Sequence, residues 1–329
     1  MFTGMSMGGA RSPGDERVTA GADRARAALA GTRFGDVRWV VTTGSTNSDA
    51  MAAARDGAAE GLVVVADHQT AGRGRQARTW VAPRGGSLLL SVLLRPPARV
   101  AGAVTMAAAV AMAEAVEQVA DISPGRKWPN DLVVATDDGD RKLAGILAEA
   151  DWPAGSTVSG GYRAPAPHDR TVVVVGIGIN VTWPQPAPGR AGAVDPGGSL
   201  DGAGGPDGLE GIGGLDAPER SDGLDEVAGI ATALNWLAAA VDRADLLVAF
   251  LRRLDERYRA LVAAGPADLV AEWRRRSATL GRRVRVDLGA DDVEGTAVDV
   301  TEEGYLVVET VEGGRRTLAV GDVVHLRPV

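Results

Sequence analysis

The chain is 329 residues long, 45% hydrophobic and 24% charged, with a formal net charge of -8. That balance is ordinary for a soluble globular protein with room for a sizeable core and two domains. It has no cysteine, which excludes a disulfide framework, a thiolate metal site and a cysteine nucleophile; its three histidines, His68, His168 and His325, are widely separated, which argues against a histidine-built metal site, and the acidic balance argues against a general nucleic-acid coat.

The opening "MFTGMSMGGARSPGDERVTAG" lacks the apolar segment of a secretory signal, and no apolar run reaches the roughly 18 residues of a membrane span. The expectation is a cytoplasmic protein whose residues 1–36, rich in Gly, Ala and Arg, form a flexible leader. "RWVVTT" (38–43) reads as a strand. "STNSDAMAAARDG" (45–57) opens with hydroxyl and amide N-cap candidates before an alanine-rich helix that ends at Gly57. "LVVVAD" (62–67) and "SLLLSVLL" (87–94) are buried-strand runs, and "VTMAAAVAMAEAVEQV" (104–119) is the clearest helix. Strand-like pieces follow at 132–135, 143–150 and 171–181, with a lengthened hairpin loop at 153–170.

From Pro184 to about Gly229 the chain turns to Gly, Pro and Asp with scattered Leu, the composition of a disordered insertion. Helices are predicted at 230–241, 243–263 and 266–278, the last with proline in its first turn. From Gly281 onward, short alternating strands separated by Gly and Asp turns predict a small β-barrel or sandwich. The fold class is α+β, a mixed sheet with helices over residues 37–279, followed by a β-domain at 280–329.

"TAGRGRQARTW" (70–80) sets Arg73, Arg75 and Arg78 among glycines. Glycine lets backbone N–H groups approach a ligand, and guanidinium forks meet carboxylate or phosphate oxygens, so the loop suits an anion clamp. It is no Walker loop, since no Gly-Lys-Ser/Thr follows, and "GIGIN" (176–180) ends a strand without opening a helix. "GRKWPNDL" (125–132) places Lys127, Asn130 and Asp131 around a proline turn. "RKLAGIL" (141–147) puts Lys142 at the lip of a strand whose Gly145 permits close approach, and Asn180 closes an apolar strand. Each alone is equally a turn former, an edge lysine or a strand terminator.

Together, "STN" (45–47), "Q-TAGRGRQAR-W" (69–80), "KWPNDL", "RKLAGIL" and "GIGINV", with "GDVVHLRP" (321–328) near the end, resemble the biotin–protein ligases. The resemblance implies a catalytic domain related to class II tRNA synthetases with an SH3-like barrel behind it. It implies activation of biotin by ATP with Mg2+ to biotinyl-5'-AMP, then transfer to one lysine of a biotin carboxyl carrier domain of an acyl-CoA carboxylase. By the same resemblance Ser45, Thr46, Asn47, Gln69, Gly72, Arg73, Gly74, Arg75, Lys142 and Gly145 would bind biotin. Arg73, Arg75, Arg78, Trp80, Lys127, Asn130 and Asn180 would face the ATP or adenylate. Lys142, Arg75 and Asp131 would carry catalysis, with Asp131 orienting Mg2+ or the incoming amine.

About 35 residues precede the body, too few for the helix-turn-helix domain of the repressor-type ligases, so a monofunctional enzyme without nucleic-acid or membrane binding is expected. A homodimer stays open. The runner-up is a lipoate or octanoate ligase of the same fold. One departure stands out: Gln76-Ala77 occupies a pair in which the family commonly has glycine, and alanine tolerates positive φ poorly.

Overall fold

The computed structural model describes residues 13–151, 157–158, 161–162, 166–184, 229–237, 240–289, 291–319 and 321–325. The predicted insertion, apart from Pro184 and Gly229, lies outside them, as does half of the 153–170 loop, of which a hairpin of two two-residue strands and residues 166–170 are described. A seven-stranded sheet forms the body, made of β1 (Val37–Thr43), β2 (Val63–Gln69), β3 (Ser87–Leu94), β4 (Gly125–Lys127), β5 (Asp131–Thr136), β6 (Gly139–Asp151) and β9 (Val172–Asn180). The hairpin is β7 (Thr157–Val158) and β8 (Gly161–Tyr162). The body's order is β1-β2-β3-β9-β6-β5-β4; β1 and β2 run parallel and every other neighbour is antiparallel. The expected mixed α+β architecture is present.

Strand period two decides what each face carries. Leu88, Leu90, Val92 and Leu94 of β3, with Val173, Val175, Ile177 and Ile179 of β9, enter the main core. There they meet α4 (Val104–Ala120), which follows the single turn α3 (Ala98–Ala101). The long α6 (Arg243–Ala264) packs on α4. Its cap is built by Asp242, whose carboxylate accepts from Ala244 N at 2.8 Å and Asp245 N at 3.2 Å. On the opposite face α2 (Thr46–Arg55) lays Ala50, Met51 and Ala54 on Val64, Leu93 and Val174. Ser91, Gly176 and Gly178 share that face, and it carries the site.

Two expectations fail. Within the leader read as flexible, residues 13–29 are helix α1 (Pro13–Leu29), with Val18, Ala22, Ala25 and Leu29 buried in the main core. Their spacing is helical, but the stripe is half alanine, so its apolar signal is weak; a close fit replaces bulk, with Gly21 against the Trp39 ring. Among the described residues the helix expected over 230–241 is present as α5 (Leu234–Leu237), and 230–233 lie outside it. Upstream, Lys142 N donates to Ile230 O at 2.8 Å and Thr232 N to Lys142 O at 2.9 Å. Residues 230–232 are thereby held as a partner to β6, and those amide groups are not free for a helix.

After α7 (Ala267–Arg275) comes a five-stranded antiparallel sheet of β10 (Arg283–Asp287), β11 (Asp292–Val300), β12 (Leu306–Thr310), β13 (Arg315–Leu318) and β14 (Asp322–His325), in the order β13-β12-β11-β10-β14. Val284, Val286, Val308 and Val323 join the main core, so the two sheets share one interior. Trp128 seals the seam, donating from Nε1 to Gly304 O at 2.9 Å. Among the described residues no helix is long and apolar enough to cross a membrane.

His325 also lies in this seam, with Nδ1 3.3 Å from Asp140 and 3.1 Å from Arg282. Burial, with Lys127 and Arg282 adding to it, lowers its pKa from 6.5 to about 4. The folded protein holds this ring neutral, whereas the unfolded chain takes up the proton first. Stability is therefore full above pH 6.5 and falls as pH drops toward 4. Between pH 7.5 and 5 the loss should be on the order of 2 kcal/mol, and His325→Gln should flatten that limb. Denaturant melts of both proteins across this range check it, and parallel acid limbs would refute the assignment.

Candidate active site

The turn after β1 delivers α2 to the sheet. Ser45 holds the N-cap position with extended backbone (φ -159, ψ 127), yet its hydroxyl makes no capping bond. The acceptor comes from the end of β2: Gln69 Oε1 accepts from Thr46 N at 2.7 Å and from Thr46 Oγ1 at 3.1 Å. Ser91 Oγ lies 2.6 Å from Asn47 Oδ1 and 2.7 Å from Thr46 Oγ1. Asn47 Nδ2 donates to Glu149 Oε2 at 2.7 Å and to Leu147 O at 3.2 Å.

Register explains the floor. Ser91, Gly176 and Leu147 stand in one row across β3, β9 and β6, and Leu89, Gly178 and Gly145 in the next. Asn47 covers the first row, where a Cβ on Gly176 would lie 2.2 Å from its Oδ1. Trp80 covers the second, where a Cβ on Gly178 would lie 2.5 Å from the indole. Gly145, expected to admit a ligand, admits Trp80: its Cβ would lie 2.8 Å from the ring.

The arginine loop folds back on itself as a small hairpin. Trp80 N donates to Gly72 O at 3.0 Å, Gly74 N to Arg78 O at 2.7 Å, and Arg73 bridges Thr79. Gly72 is required where it stands, because a Cβ would meet Trp80 O at 2.7 Å. At the tip Gln76 and Ala77 take left-handed conformations, with φ of 53 and 58. The departure flagged in the sequence is thus where the backbone is strained. Ala77→Gly removes a left-handed penalty of about 1–2 kcal/mol and adds roughly 0.5–1 kcal/mol of chain entropy. Tryptic cleavage at Arg75 and Arg78 should therefore slow about two- to fivefold in the variant; equal or faster cleavage would contradict this account.

The three arginines do not converge on one point. Arg73 Nη2 donates to Glu149 Oε2 at 3.0 Å and to Ser48 Oγ at 3.3 Å. Arg75 turns to the C-terminal sheet, 3.6 Å from Asp322 and donating to Gly321 O at 3.2 Å. Arg78 also pairs with Asp322. Acidic side chains thus stand at the loop's cations.

Lys142 Nζ lies 2.8 Å from Asp131 Oδ1 and 5.5 Å from the centroid of a Trp80 ring. A register shift between Leu132 and Val133 in the β5–β6 pairing places Lys142 and Gly145 on the same patch, with Lys142 Nζ 3.3 Å from a Cβ at Gly145. Lys127 is held below the usual lysine range chiefly by burial, opposed by the charge of Asp131. Asn130 Nδ2 donates to Ile146 O at 2.7 Å, clipping the turn to β6. Beside it a cavity of about 550 Å3 is lined by Arg75, Asn130, Leu147 and Tyr305, among others. Asn180 does not join the cluster: it is 2% exposed, donates to Thr232 O at 2.9 Å and faces Ser87 Oγ at 3.4 Å. It fastens the chain beyond the insertion to β9.

Sequence reasoning missed Ser91, Glu149 and Asp322. Ser91 was a hydroxyl inside an apolar run, Glu149 an acid at a strand end, and Asp322 part of a motif read only as a domain terminus.

Residues 45–160 match the model of the biotin/lipoate A/B protein ligase family, and residues 279–326 match that of the biotin protein ligase C-terminal domain. A biotin–[acetyl-CoA-carboxylase] ligase of Mycobacterium tuberculosis is 36% identical over 327 residues, 96% of this chain and 97% of that one. The chain belongs to the biotin–protein ligase family. A bifunctional ligase/repressor of Bacillus subtilis is 31% identical across 82% of the ligase described here and 68% of its own length. Among solved structures, a biotin protein ligase from Aquifex aeolicus in complex with biotin and ATP shares the ligase's fold. Its TM-score is 0.61 at 23% identity, covering 90% of this chain and 100% of that one.

Proposed function

We propose that this ligase joins biotin to ATP, forming biotinyl-5'-AMP, and passes the biotinyl group to a lysine of the biotin carboxyl carrier domain of an acyl-CoA carboxylase. The observation that carries the reading is the gathering of Asn47, Trp80, Arg73 and Lys142 over one glycine-floored face of the sheet. A bicyclic ureide with an apolar body and one carboxylate needs hydroxyl and amide partners at one end and a cation at the other. Ser45, Thr46 and Gln69 supply the first, and Arg73 and Lys142 the second.

In the first step a carboxylate oxygen attacks the α-phosphorus, an acyl–phosphate bond forms, and pyrophosphate leaves with the broken P–O bond. Lys142 balances the charge that gathers there, exchanging Asp131 for the phosphoryl oxygens. Trp80 and the loop shield the mixed anhydride from water. In the second step a lysine amine attacks the acyl carbon and AMP leaves, with Asp131 placed to orient the amine.

A Mg2+ site built from protein side chains alone does not fit these residues. Among the described residues no cluster of three metal-ligating side chains exists. The metal that accompanies polyphosphate is held largely by the phosphate oxygens and water.

Incubation with biotin, ATP and Mg2+, read by mass spectrometry, should yield biotinyl-adenylate, and added carrier domain should gain one biotinyl group. Adenylation of lipoate and not biotin would favour the runner-up, against which the match to the biotin-ligase C-terminal domain already speaks.

A further inference from the structure

We propose that Glu149 is a positioning residue that joins Asn47 at the head of α2 to Arg73 on the loop, and so fixes where Arg73 meets the carboxylate of biotin; the inference rests on the adenylation reading above. One oxygen does the joining. Glu149 Oε2 accepts from Asn47 Nδ2 at 2.7 Å and from Arg73 Nη2 at 3.0 Å. Asn47 is itself held from the other side by Ser91, and it nests over Gly176, where a Cβ would collide with it. A continuous polar chain thus runs from the middle of β3, through the start of α2, to the base of a loop whose tip is held by its own hairpin bonds and by the pairing of Arg75 and Arg78 with Asp322.

Asn47 has no donor to spare. Its Oδ1 faces Ser91, and its two amide hydrogens are matched by Leu147 O and Glu149. Arg73 has five donors, and among the described residues only Nη2 is engaged, by Glu149 and Ser48, so the rest of the fork stays available to an anion. An acid beside an anion-binding arginine weakens the local positive field. It is useful there only if orientation of the guanidinium matters more than charge. Fixing one Nη while leaving the other donors free is such an orientation.

The test is a double-mutant cycle between Glu149→Gln and Arg73→Met, read by single-turnover formation of biotinyl-adenylate and by the KM for biotin. Glutamine keeps an acceptor for Asn47 and removes the charge that holds Arg73. Glu149→Gln should slow adenylate formation about tenfold with Arg73 present and less than twofold in the Arg73→Met background, melting temperature unchanged in both. In the ligand-free enzyme the same variant should be cut by trypsin after Arg73 about two- to fivefold faster. Additive kinetic effects, or cleavage equal to wild type, overturn the proposal. If the wild-type enzyme makes no biotinyl-adenylate, the adenylation reading falls by itself, and the cleavage rate still decides whether Glu149 holds Arg73.

Discussion

Lys142→Ala is expected to slow biotinyl-adenylate formation by about 10²–10³, the usual effect of removing one group that stabilises transition-state charge, with little change in folding. The backbone of Lys142 is clamped by Ile230 O and Thr232 N, so truncating the side chain leaves the strand where it is. The ammonium group is 2.8 Å from Asp131 and packs against Trp80, with its side chain 35% exposed, so a ligand can reach it. Truncation also leaves the Asp131 carboxylate facing the incoming phosphates unopposed, which adds repulsion to the lost attraction. The double variant Lys142→Ala/Asp131→Asn should therefore recover part of the rate lost by Lys142→Ala alone. Single-turnover measurements decide the matter. A wild-type rate in Lys142→Ala would move the charge-balancing role elsewhere on the patch, with Lys127 the next candidate.

Much of the fold was legible because its signals are dense and local. The run "SLLLSVLL" is strand β3 with the same bounds, and the alanine-rich segment from Val104 is helix α4, one residue longer than predicted. The misses have physical causes. Half of the buried stripe of helix α1 is alanine, whose small apolar area gives periodicity little contrast. Residues 230–232 have a helix-like pattern, but their amide groups pair with Lys142 across a sequence gap that no local rule spans. The site divides in the same way. Its glycines and cations stood out by type and order, whereas their partners did not. Asn47 and Glu149 are 102 residues apart in sequence and Arg78 and Asp322 are 244 apart, so those pairings exist only once the sheet and the C-terminal strands are assembled. Gly145 shows the difference well: the sequence marked a close approach without naming what approaches.

Two glycines on one strand should fail in different ways when a methyl group is added. β9 lies between β3 and β6, paired on both edges, so its backbone cannot retreat and the neighbour above must move. In Gly178→Ala the new Cβ would come within 2.5 Å of the Trp80 indole. Trp80 stands on a loop, and its buried Nε1 has no hydrogen-bond partner among the described residues, so displacing it breaks no such bond. The ring should lift away, taking the loop and the Lys142 contact with it. Adenylate formation should fall about 10²-fold, the cost of misplacing a reacting group by roughly 1 Å, while the melting temperature stays near wild type. In Gly176→Ala the Cβ would come within 2.2 Å of Asn47 Oδ1, and Asn47 is 4% exposed and held by Ser91, Leu147 and Glu149. That group cannot leave without abandoning buried partners, so the substitution should cost about 1–3 kcal/mol of stability as well as activity. Thermal melts and single-turnover rates on the two variants separate the outcomes. Equal destabilisation in both would mean that Trp80 is as firmly built into the core as Asn47, and that the loop carrying it does not move as a cover.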